Sequence, residues 1–247
     1  MSYLPFHPVV GSIDPAQKVA AFSAITALFA VLGKAVRGVT TGGALAGGAI
    51  CFLLLWASGT AGFAGLLTVF VLTWIATRID YARKQKLEIA EARSGRTALQ
   101  VLANLGTAGG CAVLYATFWP DRRVLIAMAA ALAEAAADTV SSEMGQALGG
   151  TPRLITTWRR AEPGTNGAIT LTGSLDGTAA ACAVAVIFVL THLFGWRSGA
   201  ICALAGVVGM IFDSLLGATV ERKGWLENNA VNFASTVIAA GLAFLLA

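Results

Sequence analysis

Charged side chains are scarce in this sequence. They make up 12% of the 247 residues, whereas soluble globular domains carry about 25%. Residues 38–77 contain no charged side chain at all, although roughly 20 apolar residues are enough to cross a bilayer. The shortage of charge argues against a soluble domain and predicts an integral membrane protein.

Cysteine and histidine are also rare. The four cysteines lie in apolar stretches at irregular spacing, and only two histidines occur. Isolated thiols in apolar surroundings are mostly packing residues, so we expect neither disulfides nor a zinc site. The formal net charge of +4 is small, and basic residues in membrane proteins usually mark topology. We therefore expect no nucleic-acid partner.

Long apolar runs dominate the rest of the chain. Backbone amides in hydrocarbon need internal hydrogen-bond partners, which leaves helices or a closed barrel. Because apolar and polar residues do not alternate along the runs as they do in barrel strands, helices are expected. The first and fifth runs are short, which leaves six or seven spans as alternatives to eight. The sequence predicts an all-α polytopic transmembrane bundle, with residues 1–247 as a single membrane domain. The candidate spans are 19–33, 42–57, 60–77, 98–119, 123–139, 168–193, 199–219 and 230–247.

Basic residues concentrate in alternate connections between these spans. The connections at 34–37, 78–97, 140–167 and 220–229 hold thirteen of the seventeen lysines and arginines. The positive-inside tendency therefore predicts that these connections face the cytoplasm and that both termini lie outside. Short loops favour a bacterial plasma membrane.

Four acidic residues are predicted to lie within spans, namely Glu134, Asp138, Asp176 and Asp213. Burying an ionisable group there costs about 2.5–3.5 kcal/mol on insertion scales, so each suggests a function. Glu134 and Asp138 share a helix face that Ser142 continues, and Glu143 follows directly. Neighbouring carboxylates repel unless a cation lies between them, and Mg²⁺ prefers oxygen ligands beside phosphates. The alternative is that these carboxylates are solvated at the interface or paired to arginine.

The connection after the fifth span has the composition of a phosphate site. Three arginines precede a glycine-bearing turn that leads into the sixth span. Arginine charge and backbone N–H groups at a helix N-terminus bind oxyanions. Alternatively, the arginines contact lipid headgroups and the turn is an ordinary helix start. The arginines are Arg153, Arg159 and Arg160, and the turn contains Gly164, Thr165, Asn166 and Gly167.

Further polar residues recur near the same predicted face of the membrane. Arg96, Gln100 and Asn104 follow one another every four residues into the fourth span. They therefore share a helix face that should point into the bundle. Three asparagines stand at the start of the last span, and each alone is more typical of an inter-helix hydrogen bond than of a ligand. These are Asn228, Asn229 and Asn232.

Five ordered motifs, at 138–145, 152–157, 163–167, 213–218 and 228–233, and also residues 100–104, resemble a known family. They are similar to the integral-membrane family first catalogued as domain of unknown function number ninety-two. That family includes the phytyl-phosphate kinase of tocopherol and phylloquinone synthesis. The resemblance implies phosphoryl transfer from a nucleoside triphosphate, with CTP expected, to an isoprenyl monophosphate such as phytyl or geranylgeranyl phosphate. It also extends, more distantly, to CTP-using dolichol kinases and phosphatidate cytidylyltransferases.

This interpretation gives the candidate residues specific roles. Asp138, Glu143 and Asp213 are expected to be catalytic and to bind Mg²⁺, with Glu134 or Asp176 in support. The arginines and the glycine-bearing turn are expected to bind the triphosphate or the acceptor phosphate. The alternatives are a lipid-phosphate cytidylyltransferase and a transporter or flippase of a lipid phosphate. Further residues expected to bind the nucleotide or phosphate are Arg96, Gln100, Asn104, Ser142, Asn228, Asn229 and Asn232.

Overall fold

The computed structural model describes residues 14–148 and 150–247, and it is mostly helical. Eight of its helices are long and apolar enough to cross a membrane, which confirms the predicted polytopic bundle and the count of eight. The spans are α1 (Pro15–Ala35), α2 (Thr41–Ser58), α3 (Thr60–Arg78), α5 (Ala98–Thr117), α6 (Arg122–Ala147), α7 (Leu171–Leu190), α8 (Trp196–Leu216) and α9 (Asn228–Leu246). The connections contain a short helix, α4 (Tyr81–Lys86), and an antiparallel pair of strands, β1 (Arg153–Leu154) and β2 (Ala168–Ile169).

Threonine side chains cap the N-termini of three of the spans. Thr40 and Thr170 each accept a hydrogen bond from the backbone N–H three residues further on, at 3.1 and 3.0 Å. Thr97 and Gln100 form a capping box at the start of α5. These side chains satisfy amides that a helix leaves unpaired in its first turn. Local sequence therefore fixes where α2, α5 and α7 begin.

Helix α6 lies at the centre of the bundle and contacts α3, α5, α7, α8 and α9. Every residue in 124–137 is buried, and most of them are alanine. Small side chains let helices approach closely, which matters where lipid removes the hydrophobic drive for helix association. On the facing helices, a Cβ at Gly177 would lie 2.6 Å from the Ala137 carbonyl oxygen, and one at Gly206 would lie 2.9 Å from Ala133 Cβ.

Two predicted boundaries near the cavity described below are wrong. The fifth span was expected to end at 139, but α6 continues to Ala147. Hydropathy falls after Asp138, which is why the span was expected to end there. The helix nevertheless continues, because its polar side chains contact other parts of the protein or line a cavity. The sixth span was expected to begin at 168, where β2 lies instead, and α7 starts at Leu171. A π-helical turn, Gly217–Glu221, extends α8.

Candidate functional site

A polar cavity of about 280 Å³ lies at one end of the bundle. Its walls come from the C-terminal parts of α6 and α8, the N-terminal parts of α5 and α9, and the connection between α6 and α7. Successive spans alternate in direction, which brings these distant segments together. The predicted site residues that line the cavity are Arg96, Gln100, Asn104, Asp138, Ser142, Glu143, Gly164, Thr165, Asn166, Gly167, Asp213, Asn228 and Asn232.

An acidic centre joins α6 to α8. Asp138 and Asp213 both line the cavity, and their side chains and that of Glu134 are close enough for their charges to interact. Ser235 Oγ donates to Asp213 Oδ2 at 3.3 Å. The Asn232 amide donates to the same oxygen at 3.2 Å in the orientation that satisfies both groups. Glu134 Oε1 is buried and has no hydrogen-bond partner within the described part of the chain, and such an oxygen is stable only beside a donor or a cation.

Negative charge dominates the cavity. Arg96 is the single basic side chain among the lining residues that belong to the described ranges 14–148 and 150–247. Its Nη2 lies 3.4 Å from Thr139 Oγ1, and its charge is near enough to Asp138 to attract that carboxylate. A phosphate-bearing ligand would be repelled here unless cations accompanied it. Four lining carboxylates form no ion pair with lysine or arginine among residues 14–148 and 150–247, namely Glu91, Asp138, Asp213 and Glu221.

Glu143 also lines the cavity, but Lys84 holds its carboxylate. Lys84 Nζ lies 2.6 Å from Glu143 Oε2, and Thr77 Oγ1 donates to Oε1 at 3.2 Å. Lys84 is fully buried. Because both carboxylate oxygens have protein partners, we assign Glu143 to this ion pair, and the expectation that it is a metal ligand gains no support from these contacts.

The expected arginine cluster lies outside the cavity wall. Arg153, Arg159 and Arg160 are exposed on the connection that carries β1, and Arg153 Nη1 donates to a backbone carbonyl of that connection at 2.8 Å. Their place depends on how the two short strands pair, which spacing alone does not predict. The phosphate-binding role expected of these arginines therefore has no support from their position.

Three further candidates also lie outside the cavity wall. Asn229 on α9 and Glu134 on α6 are not among the lining residues. Asp176 on α7 is half-buried, does not line the cavity, and its Oδ2 has no hydrogen-bond partner in the part of the chain that is described. Of the three, only Glu134 stands beside the acidic centre.

The glycine-bearing turn forms one wall of the cavity. Gly164 and Gly167 have φ angles of +83° and +73°, a region that glycine adopts without steric cost. A Cβ on Gly167 would lie 2.3 Å from the backbone nitrogen of Ala218. The turn therefore packs directly on the π-helical turn after α8, and π-helical turns are frequent at functional sites.

Several residues at this site were not predicted. Glu91 accepts hydrogen bonds from Gln100 at 3.3 Å, yet it lies in a connection without periodic pattern. Glu221 ends the π-helical turn, and no sequence signal indicates that turn. Lys84 is buried because α4 lies against α6 and its ammonium group reaches the end of α3, whereas Thr139 could have been inferred from its place next to Asp138.

The sequence of the whole chain agrees with the motif series. Residues 24–240 match the family model described as integral membrane protein DUF92. The chain belongs to the DUF92 family. The match covers most of the chain, so the family resemblance expected from the five motifs is confirmed.

Relatives of this DUF92 protein occur in archaea and plants. An uncharacterized membrane protein of Methanocaldococcus jannaschii is 33% identical over 225 residues, covering 90% of this chain and 91% of the relative. Protein PGR of Arabidopsis thaliana is 30% identical over 249 residues, with coverages of 80% and 86%. The chloroplast protein VTE6 of the same plant is 29% identical over 232 residues, with coverages of 89% and 69%. No solved structure is detectably similar to the chain.

Only part of the expected metal-ligand set suits a divalent ion. Within residues 14–148 and 150–247, no three His, Cys, Asp or Glu side chains form a complete metal site by themselves. Mg²⁺ is usually held by one or two carboxylates and completed by water and substrate phosphates. Asp138 and Asp213 fit that pattern because they meet at the cavity, whereas Glu143 and Asp176 do not.

Proposed function

We propose that this DUF92 protein is a CTP- or other NTP-dependent kinase that converts an isoprenyl monophosphate, such as phytyl or geranylgeranyl phosphate, into the diphosphate. The observation that carries the proposal is the polar cavity, which is lined by Asp138 and Asp213 together with Arg96 and the glycine-bearing turn. The motif resemblance to the phytyl-phosphate kinase of this family supports the reaction type. A cavity at one end of a membrane bundle suits a water-soluble nucleotide and a lipid phosphate at headgroup depth.

Asp138 and Asp213 would hold Mg²⁺, and the nearby Glu134 would add negative charge beside them. When bound, the ion neutralises part of the charge on the two phosphate-bearing substrates. A cation is needed here because, in the described part of the chain, the cavity wall holds four carboxylates without an ion pair and a single arginine.

The chain's other residues would align the substrates. The acceptor is a phosphate monoester that is already anionic near neutral pH, so little general-base help is needed. Its oxygen attacks the terminal phosphorus of the nucleotide, forming one P–O bond while the bond to the leaving nucleoside diphosphate breaks. We assign Arg96 to the acceptor phosphate, and the backbone N–H groups of Gly164, Asn166 and Gly167 with the Asn228 side chain to the triphosphate. Catalysis then rests on alignment and charge cancellation.

The proposal is tested with purified protein, Mg²⁺, CTP and geranylgeranyl monophosphate. We expect CDP and the prenyl diphosphate as products. Asp138→Asn should lower turnover about a hundredfold, which corresponds to about 2.7 kcal/mol of barrier, without lowering the folded yield. Asp121→Asn is the matched control, because Asp121 caps α6 at the opposite end and asparagine caps helices equally well. Full activity in Asp138→Asn would remove Asp138 from the site.

The same assay separates the alternatives. A lipid-phosphate cytidylyltransferase would use the same site but release pyrophosphate instead of CDP. A flippase would move a lipid phosphate across liposomes without nucleotide. The polar cavity lies at one end of the bundle, which favours an enzyme over a transporter, whose polar residues would extend towards the bilayer midplane.

We further propose that the cavity end faces the cytoplasm of a bacterial cell. The connections at that end carry thirteen of the seventeen basic residues, and such connections stay on the cytoplasmic side. Labelling of single cysteines placed in these connections, in intact cells and in inverted vesicles, tests the orientation. Labelling of these cysteines in intact cells would show that the cavity end faces the outside of the cell.

A further inference from the structure

A second cavity, of about 250 Å³, adjoins the polar one between α1, α2, α3 and α5. Glu91, Arg96 and Asn104 line both cavities and form the wall between them. The second cavity is otherwise lined mainly by glycine and apolar side chains, among them Gly33, Gly47, Leu66, Phe70, Val101 and Leu105. We call it the tail slot.

We propose that the tail slot holds the isoprenyl chain of the lipid monophosphate whose phosphate group is bound at Arg96. This inference rests on the proposed kinase function, and it specifies where the enzyme binds the hydrocarbon part of its acceptor. The polar cavity then takes the nucleotide and the slot takes the lipid tail, with the reacting phosphate at the wall they share.

The depth of the slot suits a chain that occupies one leaflet. Along α3 the slot runs from Arg78 to Leu66, a distance of about 18 Å at 1.5 Å per residue. Half of the hydrocarbon core of a bilayer is roughly 15 Å thick. A prenyl chain lying in the slot would therefore stay at the depth that it has in the surrounding lipid.

The charge at the slot's mouth suits an anionic headgroup. Arg37, Arg78, Arg93 and Arg96 line the slot near the polar cavity, and none forms an ion pair with a carboxylate among residues 14–148 and 150–247. Arg78 stacks on Trp74, with its guanidinium carbon 4.1 Å from the ring centroid. A basic mouth above an apolar interior is complementary to a lipid that carries a phosphate at its end.

Backbone contacts fix Arg96 at the boundary between the two cavities. Its N–H donates to the Gly38 carbonyl at 3.0 Å, and its carbonyl accepts from the Thr40 N–H at 2.9 Å. Gly95 has a φ of +83°, and a Cβ there would lie 2.5 Å from the Gly38 carbonyl carbon. The Arg96 side chain reaches Thr139 on the polar side. Arg96 is thus held where the head and tail of the lipid would meet.

Helix α1 separates the slot from the bilayer. Gly33 is its single buried residue, and α1 is the least buried of the eight spans. Phe29 of α1 packs edge-on against Phe63 and Phe70 of α3, at 5.8 and 5.6 Å between ring centroids. The slot is therefore separated from the surrounding lipid by one peripheral helix.

Gly47→Leu tests the slot. A Cβ at Gly47 would meet Val101 Cγ1 at 3.9 Å and nothing closer, so the added side chain enters the slot without a backbone clash. Gly110→Leu is the matched control, because Gly110 is also helical, lines neither cavity, and has no neighbour within 4 Å of its would-be Cβ.

The readout is KM for geranylgeranyl monophosphate compared with dimethylallyl monophosphate, which has a single isoprene unit. Gly47→Leu should raise KM for the long substrate about tenfold or more, the loss expected when roughly two buried methylene groups return to water. KM for the short substrate should stay unchanged, and Gly110→Leu should change neither value. An equal rise in KM for both substrates, or no change in KM for either, would overturn the proposal that the slot holds the isoprenyl chain.

Photolabelling separates failure of the slot from failure of the kinase proposal. The probe is a long-chain alkyl monophosphate with a diazirine in its chain, added to wild-type protein without nucleotide. We expect labelled peptides from α1, α2, α3 or α5, lost in Gly47→Leu and kept in Gly110→Leu. Labelling that Gly47→Leu leaves intact overturns the slot. Slot labelling by a protein that makes no diphosphate supports the slot and overturns the kinase assignment.

Discussion

Lys84 Nζ lies 2.6 Å from Glu143 Oε2, and it also donates to the carbonyls of Ala76 and Thr77 at 3.0 and 2.8 Å. These contacts join three elements, namely the end of α3, the short α4 and the part of α6 that lines the polar cavity. Because Lys84 is fully buried, its charge is compensated by these partners and not by water. The ion pair thus positions one wall of the proposed active site.

Removing Lys84 should therefore destabilise the protein. Lys84→Met leaves the Glu143 carboxylate without its buried partner, and breaking a buried pair costs about 3–5 kcal/mol. We expect a clear fall in the unfolding temperature in detergent. The double variant Lys84→Met with Glu143→Gln should recover part of that loss, because no unpaired charge remains. A single variant as stable as the wild type would show that the pair contributes nothing.

Removing the charge of Asp138 or of Asp213 should lower activity by a similar factor. Asp213→Asn should lower kcat/KM about a hundredfold, like Asp138→Asn, since a loss of about 2.7 kcal/mol follows when a metal ligand is removed. Titration with Mg²⁺ should show a higher half-saturating concentration. Asp176→Asn is the comparison, because Asp176 lies outside the cavity wall. An equal loss there would contradict the reduced ligand set.

Arginines inside and outside the cavity should differ in their effect on activity. Arg96→Gln removes the single basic side chain among the described residues that line the polar cavity, so the acceptor phosphate loses the positive partner assigned to it. A charged hydrogen bond of this kind contributes about 1.5–3 kcal/mol, which predicts a loss of roughly tenfold to a hundredfold in kcat/KM. Arg159→Gln changes the same charge on an exposed residue and should cost much less. Equal losses in the two variants would indicate that the exposed arginines also bind substrate.

The glycine-bearing turn should be intolerant of a side chain at Gly167. Gly167 and Gly224 have nearly the same φ, +73° and +71°, but a Cβ at Gly224 meets nothing within 4 Å. Both alanine variants carry backbone strain of about 1–2 kcal/mol, while only Gly167→Ala clashes with Ala218. Circular dichroism melts and kinase assays should show a larger loss of stability and activity for Gly167→Ala. Matching losses would mean that the turn moves freely away from the π-helical turn.

Much of the fold could be predicted from local sequence. Apolar runs separated by charge gave the eight spans, because the cost of placing charge in hydrocarbon depends on each segment by itself. The end of α6 was misjudged for a related reason. Asp138 and Ser142 are polar, so hydropathy marks them as a connection, although each lines a cavity that only the assembled bundle creates.

The candidate site was only partly predictable. Asp138 and Asp213 were expected to meet because both lie near the same end of spans that run in alternate directions. The partner of Glu143 was not predictable, since Lys84 comes from a connection whose folding obeys no helical period. The exposure of Arg153 was likewise decided by the pairing of β1 with β2.

By itself, the sequence determined that this is a membrane bundle of the DUF92 family with acidic, amide and glycine residues gathered at one end. Hydropathy, charge and motif order are properties of short segments, so no tertiary information was needed. Only the tertiary structure decided which charges lie near one another, giving an acidic cavity whose described lining includes Arg96, a buried Lys84–Glu143 pair and an apolar slot beside them. Such pairings depend on packing between residues far apart in the chain, because a side chain's partner is set by the helix that lies opposite.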